Sequence, residues 1–263
     1  MDIFVFPDPQ QLGEAAASEA ARIMRDAVAR RGKARIVLST GASQFAVLAA
    51  LTRLDLPWPH VEMFHLDEYV GLPPTHRASF RKYLRERFID VAHPGKAHLV
   101  DGTPENMAAL TEAIRSEPID LGLIGIGENA HIAFNDPPAD FATREAYITV
   151  TLDDRCKAQQ VREQWFNSIQ EVPDRAVTMT VRQILQCERI LSCVPFAVKA
   201  SAVRDTLQSA VTERIPATIL KTHPHFSLYL DTDSFAKVEP AKILPEGVGL
   251  IHARTDAQCA PLL

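Results

Sequence analysis

Acidic and basic side chains follow two apolar segments of this chain that have the composition of buried strands. Asp67 and Glu68 come directly after the segment that begins at Val61, and His131 and Asp136 follow a second apolar segment that ends in a glycine-rich turn. In α/β folds, ligands bind beyond the carboxyl ends of the strands. The two segments therefore predict proton-transfer chemistry on a small metabolite.

The Asp67-Glu68 pair has apolar neighbours on its amino-terminal side, namely Met63, Phe64 and Leu66. This places the pair at the mouth of a predicted core strand. Neighbouring carboxylates in a partly desolvated cleft raise each other's pKa, which suits one of them to act as a base near neutral pH. A solvated turn pair is the alternative interpretation.

His131 stands in the segment Gly-Ile-Gly-Glu-Asn-Ala-His, between Asn129 and Asp136. Glycines let the backbone approach a ligand closely, and the two flanking polar residues can orient and tune a single imidazole. A structural histidine is the alternative. His131, His223 and His225 show no recognised ligand spacing, so we expect no metal site.

A turn of small and hydroxyl residues links a predicted strand to a predicted helix at 38–43, in the sequence LSTGAS. Thr40, Gly41, Ala42 and Ser43 would offer backbone N–H groups at a helix N-terminus, where unsatisfied donors and the helix dipole favour phosphate. The segment matches neither the P-loop nor the GxGxxG pattern. The alternative is a plain turn with Ser43 as the N-cap.

Strand-like and helix-like segments alternate through most of the chain. Asp8 followed by Pro9 predicts the start of a long helix that ends at Gly32. Strands separated by helices of about 10–15 residues indicate βαβ units, a mainly parallel sheet and the α/β class, with residues 1–263 as one domain. The further predicted strands are 35–39, 61–65, 98–100, 120–126, 146–152, 176–180, 189–194 and 226–231, and the further helices 43–54, 80–91, 106–116, 156–166, 181–187 and 198–208.

The composition is that of an ordinary globular protein, with 46% hydrophobic and 23% charged residues among 263. A net charge of −5 gives no electrostatic footprint for nucleic acid or a membrane surface. The amino terminus lacks the basic and apolar regions of a signal peptide. The four cysteines, Cys156, Cys187, Cys193 and Cys259, have no CxxC spacing, so we expect reduced structural thiols in a cytoplasmic protein.

Five segments together resemble the glucosamine-6-phosphate deaminase (isomerase) family, a relative of the 6-phosphogluconolactonases. They are LSTGAS, HLDEYVGLP, GIGENAHIAFNDP, VKASAVRDTL and ILKTHPH, in this order across nearly the whole chain. The resemblance implies a Rossmann-like fold and the conversion of glucosamine 6-phosphate to fructose 6-phosphate and ammonia, a step of amino sugar metabolism in N-acetylglucosamine catabolism. It implies no organic cofactor, a small-molecule sugar phosphate as the partner, and a family in which both single chains and homo-oligomers occur.

The resemblance also implies roles for the residues of the two acid–base segments. Asp67 would be the base that moves a proton between C2 and C1, supported by its neighbour Glu68. His131 would assist the opening of the sugar ring, oriented by Asn129 and Asp136.

For the phosphate group, the resemblance points to the turn 40–43 and to Lys199 at the start of a predicted helix. A cation and a helix N-terminus both favour an anion there. The family's phosphate-contacting arginine has three candidate positions, and the sequence leaves open which of Arg155, Lys157 and Arg162 corresponds to it.

The chain departs from the family pattern at several positions. Asp136 stands where glutamate is usual and Ala130 where glycine is usual, while at Asn129 the family carries Asp or Asn. These departures concern ring opening rather than proton transfer. The stretch that carries a basic cluster in allosteric members has only Arg144 here, so we expect no allosteric activation.

Two alternatives to a deaminase remain. A 6-phosphogluconolactonase-type hydrolase usually shows Asp-Glu-Arg and a GHTASLFP-like block, whereas this chain has Tyr69 after the acidic pair and HIAFNDP in the histidine block. A non-catalytic sugar-phosphate-binding protein would fit the changes at Ala130 and Asp136, but it has no need of a base at Asp67. The residues therefore favour the deaminase.

Overall fold

The computed structural model describes residues 1–243, 251–253 and 260–261, except for the side chain of Arg155 and the side chains beyond residue 243. In chain order the strands are β1 (Asp2–Phe6), β2 (Ala34–Leu38), β3 (Val61–His65), β4 (Asp67–Tyr69), β5 (Lys96–His98), β6 (Ile119–Leu123), β7 (Tyr147–Thr151), β8 (Arg175–Met179), β9 (Cys187–Val194), β10 (Phe226–Asp231), β11 (Ile251–Ala253) and β12 (Ala260–Pro261).

Nine of these strands form one sheet, in the order β12-β11-β1-β10-β9-β6-β2-β3-β5. Every pairing from β11 to β5 is parallel, and only the short β12 runs antiparallel to its neighbour. The predicted α/β class with a mainly parallel sheet flanked by helices is therefore confirmed. The chain proceeds from β2 to β3 and β5 towards one edge and from β6 to β9 and β10 towards the other. The strand order therefore changes direction between β2 and β6, where such folds bind ligands.

The helices connect these strands. They are α1 (Pro9–Arg31), α2 (Phe45–Leu51), α3 (Phe80–Leu84), α4 (Asp90–Ala92), α5 (Pro104–Arg115), α6 (Asp154–Arg162), α7 (Val181–Ile184), α8 (Ala200–Gln208) and α9 (Thr232–Phe235), with a π-helical turn, Arg85–Ile89, joining α3 to α4. The predicted ends of the first helix are confirmed: the Asp8 side chain accepts a hydrogen bond from the Gln11 N–H, and Gly32 is left-handed. None of the helices in the described ranges has the length and apolar character needed to cross a bilayer.

The core lies on both faces of the parallel sheet, because successive side chains of a strand point to opposite faces. In β2, Val37 packs into the cluster on one face, whereas Ile36 and Leu38 pack into the cluster on the other. Strand β3 divides in the same way, with Phe64 on the first face and Met63 on the second. A strand buried on both faces reads as a continuous apolar run, which is the pattern that the sequence shows.

A second, three-stranded antiparallel sheet, in the order β4-β8-β7, corrects part of the prediction. The predicted strands 146–152 and 176–180 exist, but they pair with each other and not with the parallel sheet. Strand β4, which carries Asp67 and Glu68, extends along β8 immediately after β3 ends. The acidic pair therefore lies in a strand of this small sheet, and the Gly-Leu-Pro-Pro turn comes only after it.

The described cysteines have a structural character. Cys156, Cys187 and Cys193 are free and buried, and Cys259 lies outside the described residues. Burial raises the pKa of Cys187 and of Cys193 to about 12. Because the thiolate is the reactive form, these two thiols are inert near neutral pH.

Candidate active site

A cavity of about 350 Å³ opens beyond the carboxyl ends of β2, β3, β6 and β9. It brings together most of the predicted site residues, which come from four separate parts of the chain. The predicted residues that line it are Thr40, Gly41, Ala42, Ser43, Asp67, His131 and Lys199. The volume suits a metabolite of a dozen or so heavy atoms rather than a macromolecule.

Asp67 presents its carboxyl group to this cavity and is only 6% exposed. It makes no side-chain hydrogen bond or ion pair with any residue in the described part of the chain. Burial raises its pKa well above the usual value, and the charge of Glu68 raises it further. The group is therefore a stronger base, once ionised, than an aspartate in water.

Glu68 points away from the cavity and has a different task. Its carboxylate accepts hydrogen bonds from the Ser79 hydroxyl at 2.7 Å, from the Arg81 N–H at 2.9 Å and from the Tyr69 N–H at 2.9 Å. The Arg81 guanidinium lies 3.3 Å from the same carboxylate. Glu68 thus connects β4 to the first turn of α3. Its influence on Asp67 is electrostatic, because its charge raises the pKa of that residue.

The ring of His131 is held by the two predicted partners. Its Nδ1 lies 2.6 Å from Asn129 Oδ1 and 3.2 Å from Asp136 Oδ1. The Asn129 side-chain amide also donates to Asp136, at 3.0 Å. With Nδ1 donating its hydrogen to these oxygens, Nε2 carries the lone pair, and the imidazole is oriented to exchange a proton at that atom.

Asp136 reaches His131 although its side chain is one methylene shorter than the glutamate usual in the family. Burial by itself would raise the pKa of Asp136, but the hydrogen bonds from His131 and Asn129 outweigh burial and lower it. The carboxylate therefore stays ionised behind the imidazole. The departure at position 136 leaves the predicted contact intact.

Two backbone features allow the ring of His131 to lie close to the backbone of its own loop. A Cβ at Gly127 would lie 2.2 Å from the His131 ring, so only glycine fits there. Ala130 has a φ of 64°, in the left-handed region that favours glycine. This conformation explains the family's usual glycine at that position, and alanine holds it here at the expense of some strain.

The small antiparallel sheet fastens the His131 loop to the strand of Asp67. Thr178 of β8 pairs with Asp67 in the strand register, and its hydroxyl accepts a hydrogen bond from the Phe134 N–H at 3.1 Å. The Asn135 side-chain amide donates to the Met179 carbonyl at 3.0 Å. The two acid–base groups are thus positioned by one rigid element, although 64 residues of sequence separate them.

The turn after β2 forms another part of the cavity wall. Gly41 has a φ of 102°, and its carbonyl accepts hydrogen bonds from the Tyr83 hydroxyl and the Gln44 N–H, each at 3.0 Å. The Gln44 side chain bonds the Ser43 hydroxyl and the Cys193 carbonyl of β9. The turn is therefore fixed before any ligand arrives, and it continues into a 3₁₀ turn, Ala42–Gln44, ahead of α2.

Lys199 also lines the cavity and is a cationic side chain. It ends the 3₁₀ turn Ala197–Lys199 and directly precedes α8, as predicted for a residue that begins a helix. Its ammonium group makes no hydrogen bond or ion pair with any described residue. Burial lowers the pKa of Lys199, and the nearby carboxylates of Glu163 and Glu128 partly offset that effect.

The described candidates for a phosphate-contacting cation lie in different surroundings. Lys157 pairs with Asp174, away from the cavity. Arg162 pairs with Glu128, which lines the cavity, so Arg162 lies at its rim. The side chain of Arg155 lies outside the described part of the chain.

Comparison with known proteins agrees with this geometry. The sequence profile of the family described as glucosamine-6-phosphate isomerases/6-phosphogluconolactonase matches residues 7–228, which include every residue of the site above. The chain belongs to this family. The predicted resemblance is thereby confirmed.

Individual relatives include a glucosamine-6-phosphate deaminase of Staphylococcus epidermidis (strain ATCC 12228 / FDA PCI 1200), which is 35% identical over 76% of this chain and 86% of its own. Among solved structures, a monomeric glucosamine-6-phosphate deaminase superimposes with a TM-score of 0.81 and 27% identity, over 90% of this chain and all of that chain. A 6-phosphogluconolactonase of Shewanella baltica OS155 superimposes with a TM-score of 0.72 at 19% identity, over 88% and 97% of the two chains, a likeness of fold alone.

Part of this family member's cavity wall was not predicted from the sequence. The additional residues come from α6, from the segment after it and from the loop after β9: Gln159, Gln160, Glu163, Trp165, Phe196 and Val198. Helix α6 was predicted as a helix, but glutamines and an aromatic carry no motif of their own. Only the fold, which places α6 over the cavity, identifies them.

Phe196 has the least favourable backbone of the cavity wall. Its φ of 84° lies in a region that favours glycine, and its N–H donates to the buried Asp231 carboxylate at 2.9 Å. The ring itself is 38% exposed at the cavity rim. The hydrogen bond to Asp231 holds the strained backbone and with it the loop that leads to Lys199.

We expect Phe196→Gly to raise the free energy of unfolding by about 1 kcal/mol, because relief of strain exceeds the entropic penalty of glycine. Phe196→Ala is the matched control, since it removes the ring but retains the Cβ that causes the strain. Urea denaturation of the three proteins measures the difference. Equal stability of the glycine and alanine variants would contradict the assignment of strain to this residue.

Proposed function

We propose that the protein is a glucosamine-6-phosphate deaminase that releases fructose 6-phosphate and ammonia. The observation that carries the proposal is the pair formed by Asp67 and His131 in the wall of one cavity. The Asp67 carboxyl group has a raised pKa and no partner among the described residues, and the imidazole of His131 is oriented by hydrogen bonds. Such a pair can move protons on carbon and on oxygen of the same sugar. The names of relatives at 27% and 35% identity support the same reaction.

The proposed reaction begins with the phosphate held by the turn 40–43 and by Lys199. His131 transfers a proton at the ring oxygen and C1 hydroxyl, which opens the sugar to the aldehyde. Asp67 then removes the proton from C2 and returns it to C1, while a proton passes from the C2 ammonium group to the C1 oxygen. The aldehyde thereby becomes a hydroxymethyl group, and the C2 amine becomes an iminium. Water adds to the iminium and ammonia leaves, which gives the 2-ketose and balances the overall hydrolysis.

Asn129 and Asp136 position the imidazole in this scheme, and Glu68 raises the basicity of Asp67. All these groups come from one chain, so the proposed reaction requires no second copy; a homo-oligomer stays a prediction. We place the enzyme in the cytoplasm, because Cys156, Cys187 and Cys193 are free thiols, as expected in a reducing compartment.

The test is the release of ammonia and of fructose 6-phosphate from glucosamine 6-phosphate, measured together. Hydrolysis of 6-phosphoglucono-lactone by the same preparation is the matched comparison, because a lactonase needs no base at C2. We expect equal amounts of the two products from the amino sugar and no lactone hydrolysis above background. Lactone hydrolysis alone, or binding of sugar phosphate without turnover, would overturn the proposal in favour of the two alternatives.

A further inference from the structure

Gln160 of α6 is a buried polar side chain. Among the described residues its amide oxygen has a hydrogen-bond partner and its amide nitrogen has none. Gln160 is 6% exposed and lines the cavity that also holds Asp67. Its Oε1 accepts a hydrogen bond from the Tyr69 hydroxyl at 2.7 Å. Its Nε2 makes no hydrogen bond with any residue within the described ranges.

Tyr69 is a rigid donor for that amide. Three aromatic rings, those of Phe80, Phe134 and Phe166, surround it at centroid distances of 5.2–5.4 Å. Burial raises the pKa of Tyr69 well above its usual value, so the phenol keeps its hydrogen. A buried hydroxyl requires an acceptor, and Gln160 is the one it has among the described residues. The amide must therefore turn its oxygen to Tyr69 and its NH₂ group elsewhere.

Strand β4 fixes the spacing between Tyr69, which holds Gln160, and Asp67, which is proposed to act at C2. Asp67 and Tyr69 are two residues apart and lie on the same face of the strand, about 7 Å apart along it. The neighbouring Gln159 commits one of its two N–H donors to Glu163, at 2.8 Å. Gln160 thus brings two free N–H donors to the cavity beside Asp67.

We propose that Gln160, held by Tyr69, determines specificity by donating a hydrogen bond to the C3 or C4 hydroxyl of the bound sugar. The inference rests on the proposed function. In that reaction His131 acts at C1 and the ring oxygen and Asp67 acts at C2 and C1, which leaves the C3 and C4 hydroxyls for Gln160. A site that leaves a buried donor unpaired with the wrong substrate discriminates strongly against that substrate. Asp67 and His131 would supply the chemistry, and Gln160 the choice among amino sugar phosphates.

The test compares kcat and KM of wild type, Gln160→Leu and Tyr69→Phe on the 6-phosphates of glucosamine, galactosamine and allosamine. These sugars differ in the orientation of the C4 or C3 hydroxyl. We expect Gln160→Leu to lower kcat/KM for glucosamine 6-phosphate about 100-fold. For one of the two epimers, kcat/KM of Gln160→Leu should fall less than about threefold. The variant would then no longer discriminate between glucosamine 6-phosphate and that epimer as strongly as wild type does. Tyr69→Phe should weaken the same discrimination with a smaller loss.

Gln170→Leu, an exposed glutamine outside the cavity, is the control and should leave all three sugars unchanged. An equal fold loss of kcat/KM on all three sugars would show a merely structural role and overturn the inference, as would no loss at all. If wild type turns over none of the sugars, the proposed function fails, and stabilisation of the fold by each sugar phosphate replaces turnover as the measurement. The absence of any melting shift with all three would then overturn the inference as well.

Discussion

Asp67→Asn is expected to lower kcat by about 10³-fold or more, because it removes the carboxylate proposed to take the C2 proton while preserving the shape of the side chain. Substrate binding should change little, since Asp67 is not among the residues proposed to hold the phosphate. Steady-state kinetics on glucosamine 6-phosphate measure the effect. In wild type, activity should fall as the pH decreases through the raised pKa of Asp67, well above the usual range of an aspartate.

The same substitution should stabilise the fold. The folded state raises the pKa of Asp67, so its contribution to stability is fully present below the usual pKa and is lost as the pH rises through the folded-state value. Near neutral pH the buried carboxylate therefore destabilises the protein, and we expect the amide to add about 1 kcal/mol. The gain should shrink as the pH is lowered towards 4.

Asp90→Asn, an exposed aspartate in α4, is the matched control and should change neither activity nor stability measurably. Retention of most of the turnover in Asp67→Asn would contradict the role of Asp67 as the base. A stability difference that is independent of pH would show that the carboxylate's ionisation is not its cause.

Lys199→Met is expected to raise KM for the sugar phosphate about 100-fold, with a smaller effect on kcat. The substitution keeps the length of the side chain but removes a charge whose hydrogen bond to a phosphate is worth about 2–3 kcal/mol. Lys199 has no partner in the described part of the chain, so its loss leaves no buried charge unpaired by a direct contact. A parallel measurement is the melting shift that inorganic phosphate or glucosamine 6-phosphate produces.

Two further variants sharpen this result. Lys199→Arg retains the charge and should recover part of the affinity, whereas Lys242→Met removes an exposed lysine that pairs with Glu239 and should change nothing. A Lys199→Met variant with wild-type KM would move the phosphate to another cation, and Arg162 at the cavity rim would be the next to test.

The placement of acid–base side chains beyond two strand ends was predictable because it depends on the local sequence. An apolar run followed by acid–base groups places those groups at the edge of a parallel sheet wherever the sheet finally forms. The predicted bounds of 61–65 and 226–231 agree with β3 and β10. Strand β1 was not predicted, because a five-residue run at the terminus carries no preceding turn signal.

Pairing between distant segments decided what the sequence left open. In the sequence, Asp67 and Glu68 are neighbouring carboxylates of similar chemistry. Their environments differ because β4 pairs with β8 and successive side chains of the strand point to opposite faces. The antiparallel sheet, whose β4–β8 pairing joins residues more than a hundred positions apart, has no local signature that distinguishes it from further βαβ units. Sequence patterns describe neighbours along the chain, whereas register between strands depends on the packing of the whole.

By itself, then, the sequence determined the α/β class, the helix ends marked by Asp8 and Gly32, and the position of Asp67, His131 and the turn 40–43 beyond the ends of strands. Only the tertiary structure decided that Asp67 lines the cavity with no partner among the described residues, and that Gln160 lines the same cavity with an Nε2 that no described residue bonds. The physical reason is that burial, pKa and unsatisfied hydrogen bonds are properties of an environment, and the environment of each of these groups is built from residues far away in the chain.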